Sequence, residues 1–289
     1  MVVDKAVFQR SIEALGIDTE YVVVKPNWVS IQGGQHTEAR LLEWLLEALP
    51  QRKILVESYT PWRGLRYAGT DALATDLDSG KQHWEFYRKQ DVHFLRQTNN
   101  RAVMDRLGVR YVNVTNEVWD ERCAPAAAVR ELYDAKYCSI HWEALFRWVP
   151  RALFDIRERA TLISLAKIKT ECCPDKRIKL SGTVKNLFGL IPHPSRYEPF
   201  HGNKHRMLHP SIADAFCLYD SLFARSVWVA EGIWTVVRNN CCEGEYVDEN
   251  RGLLVIGRDP IEVDRQACEL FSIDPTDIAY LTIIQRRTR

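Results

Sequence analysis

Apolar and polar positions alternate along the chain in blocks of strand length and helix length. Tyr21-Val22-Val23-Val24 is a continuous apolar run that Lys25-Pro26-Asn27 stops. From Thr37 to Leu49 the apolar positions take helical period, with Thr37 placed to cap the start. Lys53-Ile54-Leu55-Val56 predicts the next strand, ending in Glu57-Ser58. Pro61 to Leu107 is different: rich in Arg, Trp, Tyr and His, it reads as helices and loops lying over the sheet. Strand pattern returns at Tyr111-Val112-Asn113-Val114, in a short piece at Tyr137-Cys138-Ser139-Ile140, and strongly from Thr161 to Leu165. Ala144 to Ile156 mixes turn and helix. Pro210 to Arg225 is helical, Ser226 to Ala230 is strand, and Gly252 to Ile256 is the last clear strand. Pro260 then sits at a first-turn position and opens a helix over Ile261 to Phe271. Strand and helix in alternation predict an α/β fold: a mostly parallel sheet flanked by helices in Rossmann-like layers. The expected organisation is one domain over residues 1–289, with a helical insertion at 61–107 after the second strand.

Polar residues succeed each strand. Lys25, Asn27 and Ser30 come after the first; Glu57, Ser58 and Thr60 come after the second. Thr161–Leu165 leads to Lys167, Lys169, Thr170 and Glu171. Ala230 is succeeded by Glu231, and Ile256 by Gly257, Arg258 and Asp259. In an open parallel sheet, ligands bind outside the carboxyl ends of the strands, so these residues would meet on one rim. Lys167 and Lys169 share strand parity and would point to one side. With Lys185 they gather three ammonium groups around a buried strand end, which is costly without an anion or carboxylates to offset them. A salt bridge to Glu171 or Glu231 is the plain alternative to a bound carboxylate or phosphate. Lys25 also reads as a solvated strand terminus, and Asp259 before Pro260 as a helix cap.

Lys185 and Asn186 open a junction between Gly182 and Gly189, where Asn186 is placed to orient a ligand. The phosphate-loop pattern GxxxxGK[ST] is absent. His193, His201, His205 and His209 share a segment with Arg196, Lys204 and Arg206. Pro199, Gly202 and Pro210 break any continuous helix there, so a mobile basic lid is expected over an anionic substrate. His201 or His205 is an acid–base candidate.

Composition narrows the partners. Apolar residues make up 46% and charged residues 27%, as in a core-forming globular protein. Lys and Arg number 39 against 38 Asp and Glu, a formal charge of +1. No global cationic field is available for nucleic acid or an anionic membrane, so anion recognition has to be local. No apolar run approaches the roughly 20 residues of a membrane helix. Met1 to Ala6 lacks the layout of a secretory signal, which makes a cytoplasmic protein the default. The 8 cysteines are scattered, which argues against a disulfide framework. Two vicinal pairs, Cys172-Cys173 and Cys241-Cys242, would suffice together for zinc or an iron–sulfur cluster, but neither has CxxC spacing.

Taken together, these motifs resemble the family catalogued as domain of unknown function 362. Val22 to Val29, reading Val-Val-Val-Lys-Pro-Asn-Trp-Val, is similar to its "IKPNLV" opening, and Leu162 to Thr170 to its "vPKLKTH" segment. Val184-Lys185-Asn186-Leu187-Phe188-Gly189-Leu190-Ile191-Pro192 resembles "lKNlfGliP", the most specific of the set. Val229 to Ile233 and Ile256 to Asp264 resemble "vvDgi" and "aGrDPvavD". The likeness runs from about residue 20 to 282. Glu171 stands where the family usually has His, and Glu231 where it usually has Asp. Some members carry a ferredoxin-like module, which implies iron–sulfur chemistry for those; its CxxCxxCxxxCP run is absent here.

The sequence therefore predicts a cytoplasmic biosynthetic enzyme acting on a small anionic metabolite, with no cofactor and a possible homo-oligomer. Lys25, Lys167, Lys169 and Lys185 would hold the anion, one lysine serving as base or Schiff-base nucleophile. Glu57, Glu171 or Glu231 would be the acid–base partner. The alternatives are a divalent-metal or iron–sulfur redox protein using Cys172, Cys173, Cys241 and Cys242, and a non-catalytic anion-binding module.

Overall fold

The apolar runs become strands, and they lack polar alternation because both faces of the sheet are covered. The computed structural model describes residues 3–60, 63, 76–170, 178–240, 243–247 and 252–289. The strands are β1 (Tyr21–Pro26), β2 (Arg52–Glu57), β3 (Arg110–Asn113), β4 (Ala160–Lys167), β5 (Lys169–Thr170), β6 (Leu180–Ser181), β7 (Arg225–Glu231), β8 (Thr235–Asn240), β9 (Glu243–Val247) and β10 (Leu254–Gly257). Six of them form one sheet in the order β3-β2-β1-β4-β7-β10. β1 lies between β2 and β4, parallel to both, with Val24 opposite Leu55 and Ile163. All pairings in this sheet are parallel except the last, where β10 runs against β7. This is the expected mostly parallel α/β architecture.

The pleat sorts the core into two faces. Val22 and Val24 pack with Phe8, Ile12 and the leucines of the helix Ala39–Glu47. Val23 points the other way, joining Ile54, Leu162 and the helix Leu208–Leu222. Every residue of β4 is buried. Each such Val, Leu or Ile stabilises by about 1.5–3 kcal/mol, which makes β1 and β4 the firmest part of the sheet. Between β2 and β3 lie the helices Leu77–Lys81, Trp84–Gln97 and Asn100–Arg106, where the sequence predicts a helical insertion.

Three expectations need correction. Thr37 does not cap a helix: Glu38 is at the cap position, without a side-chain cap bond. The Thr37 hydroxyl instead accepts from the Asn27 N–H at 2.9 Å and donates to the Leu165 carbonyl at 3.4 Å, tying the loop after β1 to β4. Tyr137 to Ile140 is no strand; Tyr137 closes the helix Ala126–Lys136 and makes a single bridge to Thr288. Only Tyr137 of the four is buried, at the helix end. The third correction concerns β10. Because it is antiparallel, Gly257 lies beside Trp228, so the residues after β10 leave at the opposite end of the sheet from those after β7. No helix among the described residues is long and apolar enough to cross a membrane.

Strand order reverses direction between β1 and β4, and the carboxyl ends of these two strands flank the crevice that such a switch point creates. β1 ends in Lys25-Pro26, and β4 leads through Ile168 to Lys169.

Candidate functional site

A cleft of about 160 Å³ opens at that switch point. Its floor is an ion pair. Lys25, only 1% exposed, donates to the Pro26 carbonyl at 2.6 Å, to Glu57 Oε2 at 3.1 Å and to Asn186 Oδ1 at 3.4 Å. Glu57 also accepts from the Ser58 N–H at 3.1 Å and has the Arg63 guanidinium at 3.7 Å. Burial lowers the Lys25 pKa to about 8; Glu57 opposes the shift, and Arg196 and Arg63 add to it. Glu57 thus serves Lys25 and Arg63, the latter also paired with Asp91, and lies in the field of Arg196.

The turn Leu187–Leu190 lies directly on this pair. A Cβ on Gly189 would sit 2.8 Å from Lys25 Nζ and 3.1 Å from Glu57 Oε1, so glycine gives the room for that approach. Arg196 fastens the turn from the other side. It donates to the carbonyls of Gly189 and Tyr59, each at 2.9 Å, and of Ile191 at 3.1 Å, and to the Ser58 hydroxyl. Burial lowers its pKa to about 10.

Lys169 and Lys185 form a row along the wall. Lys169 pairs across the β5–β6 ribbon with Ser181. Directly opposite residues put their side chains on one face, about 5 Å apart at Cβ. Lys185 Nζ donates to Ser181 Oγ at 2.8 Å, and Lys169 Nζ donates to Gln35 Oε1 at 3.0 Å. Ser181 thus bonds Lys185 directly and has Lys169 as its cross-strand neighbour. Asn186 sits next to Lys185 in the short helix Thr183–Asn186, and its amide donates to the Lys25 carbonyl at 2.9 Å and to Ser164 Oγ at 3.1 Å. Asn27 completes this side, its amide donating to the Gln35 carbonyl at 2.9 Å.

The short helix is aimed by a buried carboxylate. Asp264 accepts from the Thr183 N–H at 2.6 Å, the Thr183 hydroxyl at 2.7 Å and the Val184 N–H at 3.2 Å. A Cβ on Gly182 would lie 2.5 Å from Asp264 Oδ1, so the backbone comes as close as it can. Burial raises the Asp264 pKa to about 6, against the pull of these three donors.

Not every predicted rim residue reaches the cleft. Lys167 and Lys169 diverge, because β4 ends at Lys167 and parity is lost across Ile168. Lys167 turns behind the cleft, 2.7 Å from Glu231 Oε1 and 2.5 Å from Glu38 Oε2, and donates to the Trp234 carbonyl at 2.6 Å. That is the plain salt-bridge reading. Burial, with Glu38 close by, raises the Glu231 pKa. Glu231 is fully buried and is not among the cleft-lining residues. Thr170, half-buried in β5, does not line the cleft, and Ser58 is spent on the Gly189 and Ile191 carbonyls. Arg258 belongs to the far end of the sheet, where it donates to the Leu15 carbonyl at 2.6 Å. Asp259 is the helix cap, accepting from the Ile261 and Glu262 N–H groups.

The histidines divide. His201 is buried on the cleft wall and its Nδ1 lies 2.9 Å from His205 Nδ1. Lys204 and His205 both adopt positive φ, a conformation costing non-glycine residues about 1 kcal/mol each, and this turn is what brings the two rings together. His193 packs on Trp148 and Phe200, and His209 stacks on Tyr280, away from the cleft. The basic segment reaches the cleft wall through Arg196 and His201. Glu171, Cys172, Cys173, Cys241 and Cys242 lie outside the described residues. Among the described residues no group of three or more His, Cys, Asp or Glu is placed to hold a metal.

Two residues at the site, Gln35 and Arg63, are not marked out by the sequence pattern, while Ser181 and Phe188 fall in the family-like stretch without a role assigned to them. Arg63 carries no signal there, since its partners Glu57 and Asp91 lie in other elements. Gln35 becomes visible only once the loop after β1 is known to fold back over Lys169.

Lys25, Lys185, Asn186 and Gly189 come from two separate segments and meet on one floor. That coincidence matches a family pattern. The chain belongs to the domain of unknown function family DUF362, whose model matches residues 22–269. Among curated proteins and among solved structures, comparison finds no match. In this DUF362 chain, the segments with the strongest family likeness supply the cleft floor, the sealed Lys167–Glu231 pair and the Asp264 anchor.

Proposed function

We propose that this chain is a cytoplasmic biosynthetic enzyme that binds a small carboxylate or phosphate in the switch-point cleft and transforms it by lysine-centred proton transfer or Schiff-base formation. The observation that carries the reading is Lys25: a buried amine with pKa near 8, on the floor of a cleft whose described lining has four cations and one carboxylate. A group with pKa near the working pH is matched to both giving and taking a proton. Of its three hydrogen bonds, the one to Asn186, at 3.4 Å, is the longest and the one a substrate oxygen would replace. Glu57 is positioned to take the proton when Lys25 acts as a neutral amine. Lys169 and Lys185 hold the anion, with Asn27 and Gln35 beside them. His201, backed by His205, is the second acid–base group on the wall.

The test is incubation with a panel of phosphorylated and carboxylated metabolites, read by mass spectrometry. Lys169→Met and Lys185→Met are expected to abolish turnover with circular dichroism unchanged. Full turnover in both rejects the proposal, and binding without conversion marks a non-catalytic module. Because the Lys25 charge is present below pH 8 and lost above it, acetate affinity is expected to fall as pH rises from 7 to 9.5. Iron and zinc analysis of anaerobically purified protein separates this reading from a redox protein built on the vicinal cysteines.

A further inference from the structure

The cleft is not polar all round. Ile178, Phe188 and Leu208 line it beside the cations. All three belong to the same side of the molecule: Ile178 and Leu208 are members of the larger core cluster, and Phe188 packs against it. Of the three, Phe188 is the part-exposed one, and Ile178 and Leu208, each about 1% exposed, lie buried behind the cleft surface. Phe188 comes after Lys185 and Asn186 at the start of the Leu187–Leu190 turn, so the ring and the cationic row are held by one short stretch of backbone. His201 stands against the Phe188 ring at 5.8 Å, closing that end with a flat, weakly polar face. A site for inorganic phosphate or a polyol phosphate would leave the exposed part of the Phe188 ring wetted, at a cost of roughly 25 cal/mol per Å² of exposed apolar surface.

Size sets a second limit. The cleft volume of about 160 Å³ is close to the roughly 150 Å³ of an engineered apolar cavity that accommodates a single benzene ring. It lies below the roughly 300–1,000 Å³ of sites for drug-sized ligands. A nucleotide, with base, sugar and phosphate, would extend out of the cleft into solvent.

We propose that the ligand is a carboxylate borne on an apolar body no larger than one six-membered ring. The carboxylate lies at Lys185 and Ser181 with Lys169 beside them, and the body lies on the Phe188 ring against His201. This rests on the anion-binding reading of the cleft and narrows it to a substrate class. The part-exposed Phe188 ring beside the cations favours a carboxylate on a carbon body over inorganic phosphate.

The probes are benzoate, cyclohexanecarboxylate, acetate, inorganic phosphate and adenosine monophosphate, titrated calorimetrically into the full chain at pH 7. The two ring carboxylates are expected to bind at least about tenfold more tightly than acetate, in line with the worth of a few buried carbons in an apolar pocket. Phosphate is expected to match acetate at best, and adenosine monophosphate to show no saturable binding. Phe188→Ala should cut the ring carboxylates back towards acetate while leaving acetate unchanged, whereas Lys185→Met should weaken every anion. Equal affinity for acetate and benzoate overturns the ring-sized class while the anion site stands. Tighter binding of adenosine monophosphate than of benzoate overturns the size limit. Failure of every probe to bind removes both this proposal and the reading beneath it.

Discussion

Lys25 and Lys167 end neighbouring strands, are each 1% exposed, and do opposite things. Lys167 has two carboxylates around one ammonium, Glu38 and Glu231, and a main-chain carbonyl as well. Because the Glu231 pKa is raised, the second carboxyl tends to keep its proton and the cluster balances near neutrality. Lys25 has one carboxylate, and that carboxylate also serves Arg63, itself paired with Asp91, within the field of Arg196. Its surroundings carry a surplus of positive charge, and a cleft opens above it. A buried lysine with surplus carboxylate is sealed into structure; one with surplus cation is left ready for an anion. Burial alone separates nothing here.

The comparison breaks first at Lys167. Lys167→Met takes the cation from the buried Glu231 and the half-buried Glu38, and removing one partner of a buried pair typically costs about 3–5 kcal/mol. Chemical denaturation is expected to show that loss. Lys25→Met still leaves Glu57 with Arg63 and should cost less stability while losing anion binding. If Lys167→Met is as stable as the parent and Lys25→Met is not, the roles are reversed.

Asp264 offers the next largest effect, because it aims Lys185 and Asn186. Asp264→Asn keeps one acceptor oxygen where two now receive three donors, and an unsatisfied buried donor costs about 1–3 kcal/mol. The pH dependence has a definite sign. The folded pKa of about 6 stands above the ordinary 3.8, so the Asp264 contribution is present below about pH 4 and is lost as pH rises through 6. The parent should therefore shed stability over that window, and Asp264→Asn should shed less of it. An unchanged slope in the variant would place the titration elsewhere.

The sequence and the structure agree most closely where burial dictates the pattern. Tyr21 to Val24 and Thr161 to Leu165 read as strands because nothing polar interrupts them, and both lie in the sheet centre. The rim rule then brings Lys25, Asn27, Glu57 and Lys169 to one cleft, and the family-like Lys185-Asn186 motif joins them. Direction is not legible. Nothing in Gly252 to Ile256 tells a parallel strand from an antiparallel one, so the pattern assigns Arg258 to the wrong end. Nor is parity safe, because a single residue, Ile168, separates two strands rather than continuing one. Thr37 fits a cap pattern locally, and a tertiary bond to Leu165 claims it instead.

Gly189 sharpens the comparison by touching only one of the two lysines. Gly189→Ala places a methyl 2.8 Å from Lys25 Nζ, and overpacking of this kind costs about 1–3 kcal/mol. Since the nearest atom is the end of a flexible side chain, part of that strain is released by moving the amine away from Glu57. Acetate affinity should fall more than stability does, and the Lys167 cluster should be untouched. A stability loss with full affinity would mean that the turn, rather than the amine, yields.

Arg258 should give the smallest effect of all, and that is its use. Its guanidinium donates to the Leu15 carbonyl at an exposed position, beyond a strand that runs against its neighbour. Exposed substitutions of this kind usually stay within about 0.5 kcal/mol. Arg258→Ala is expected to leave both stability and acetate affinity at parent values, although Arg258 comes after a strand just as Lys25 and Lys169 do. The contrast with Lys169→Met isolates strand direction as the variable that decides which strand-end cation belongs to the cleft. A loss of acetate affinity in Arg258→Ala comparable to that in Lys169→Met would mean that the anion also senses the far end of the sheet, and the switch-point assignment would fall with it.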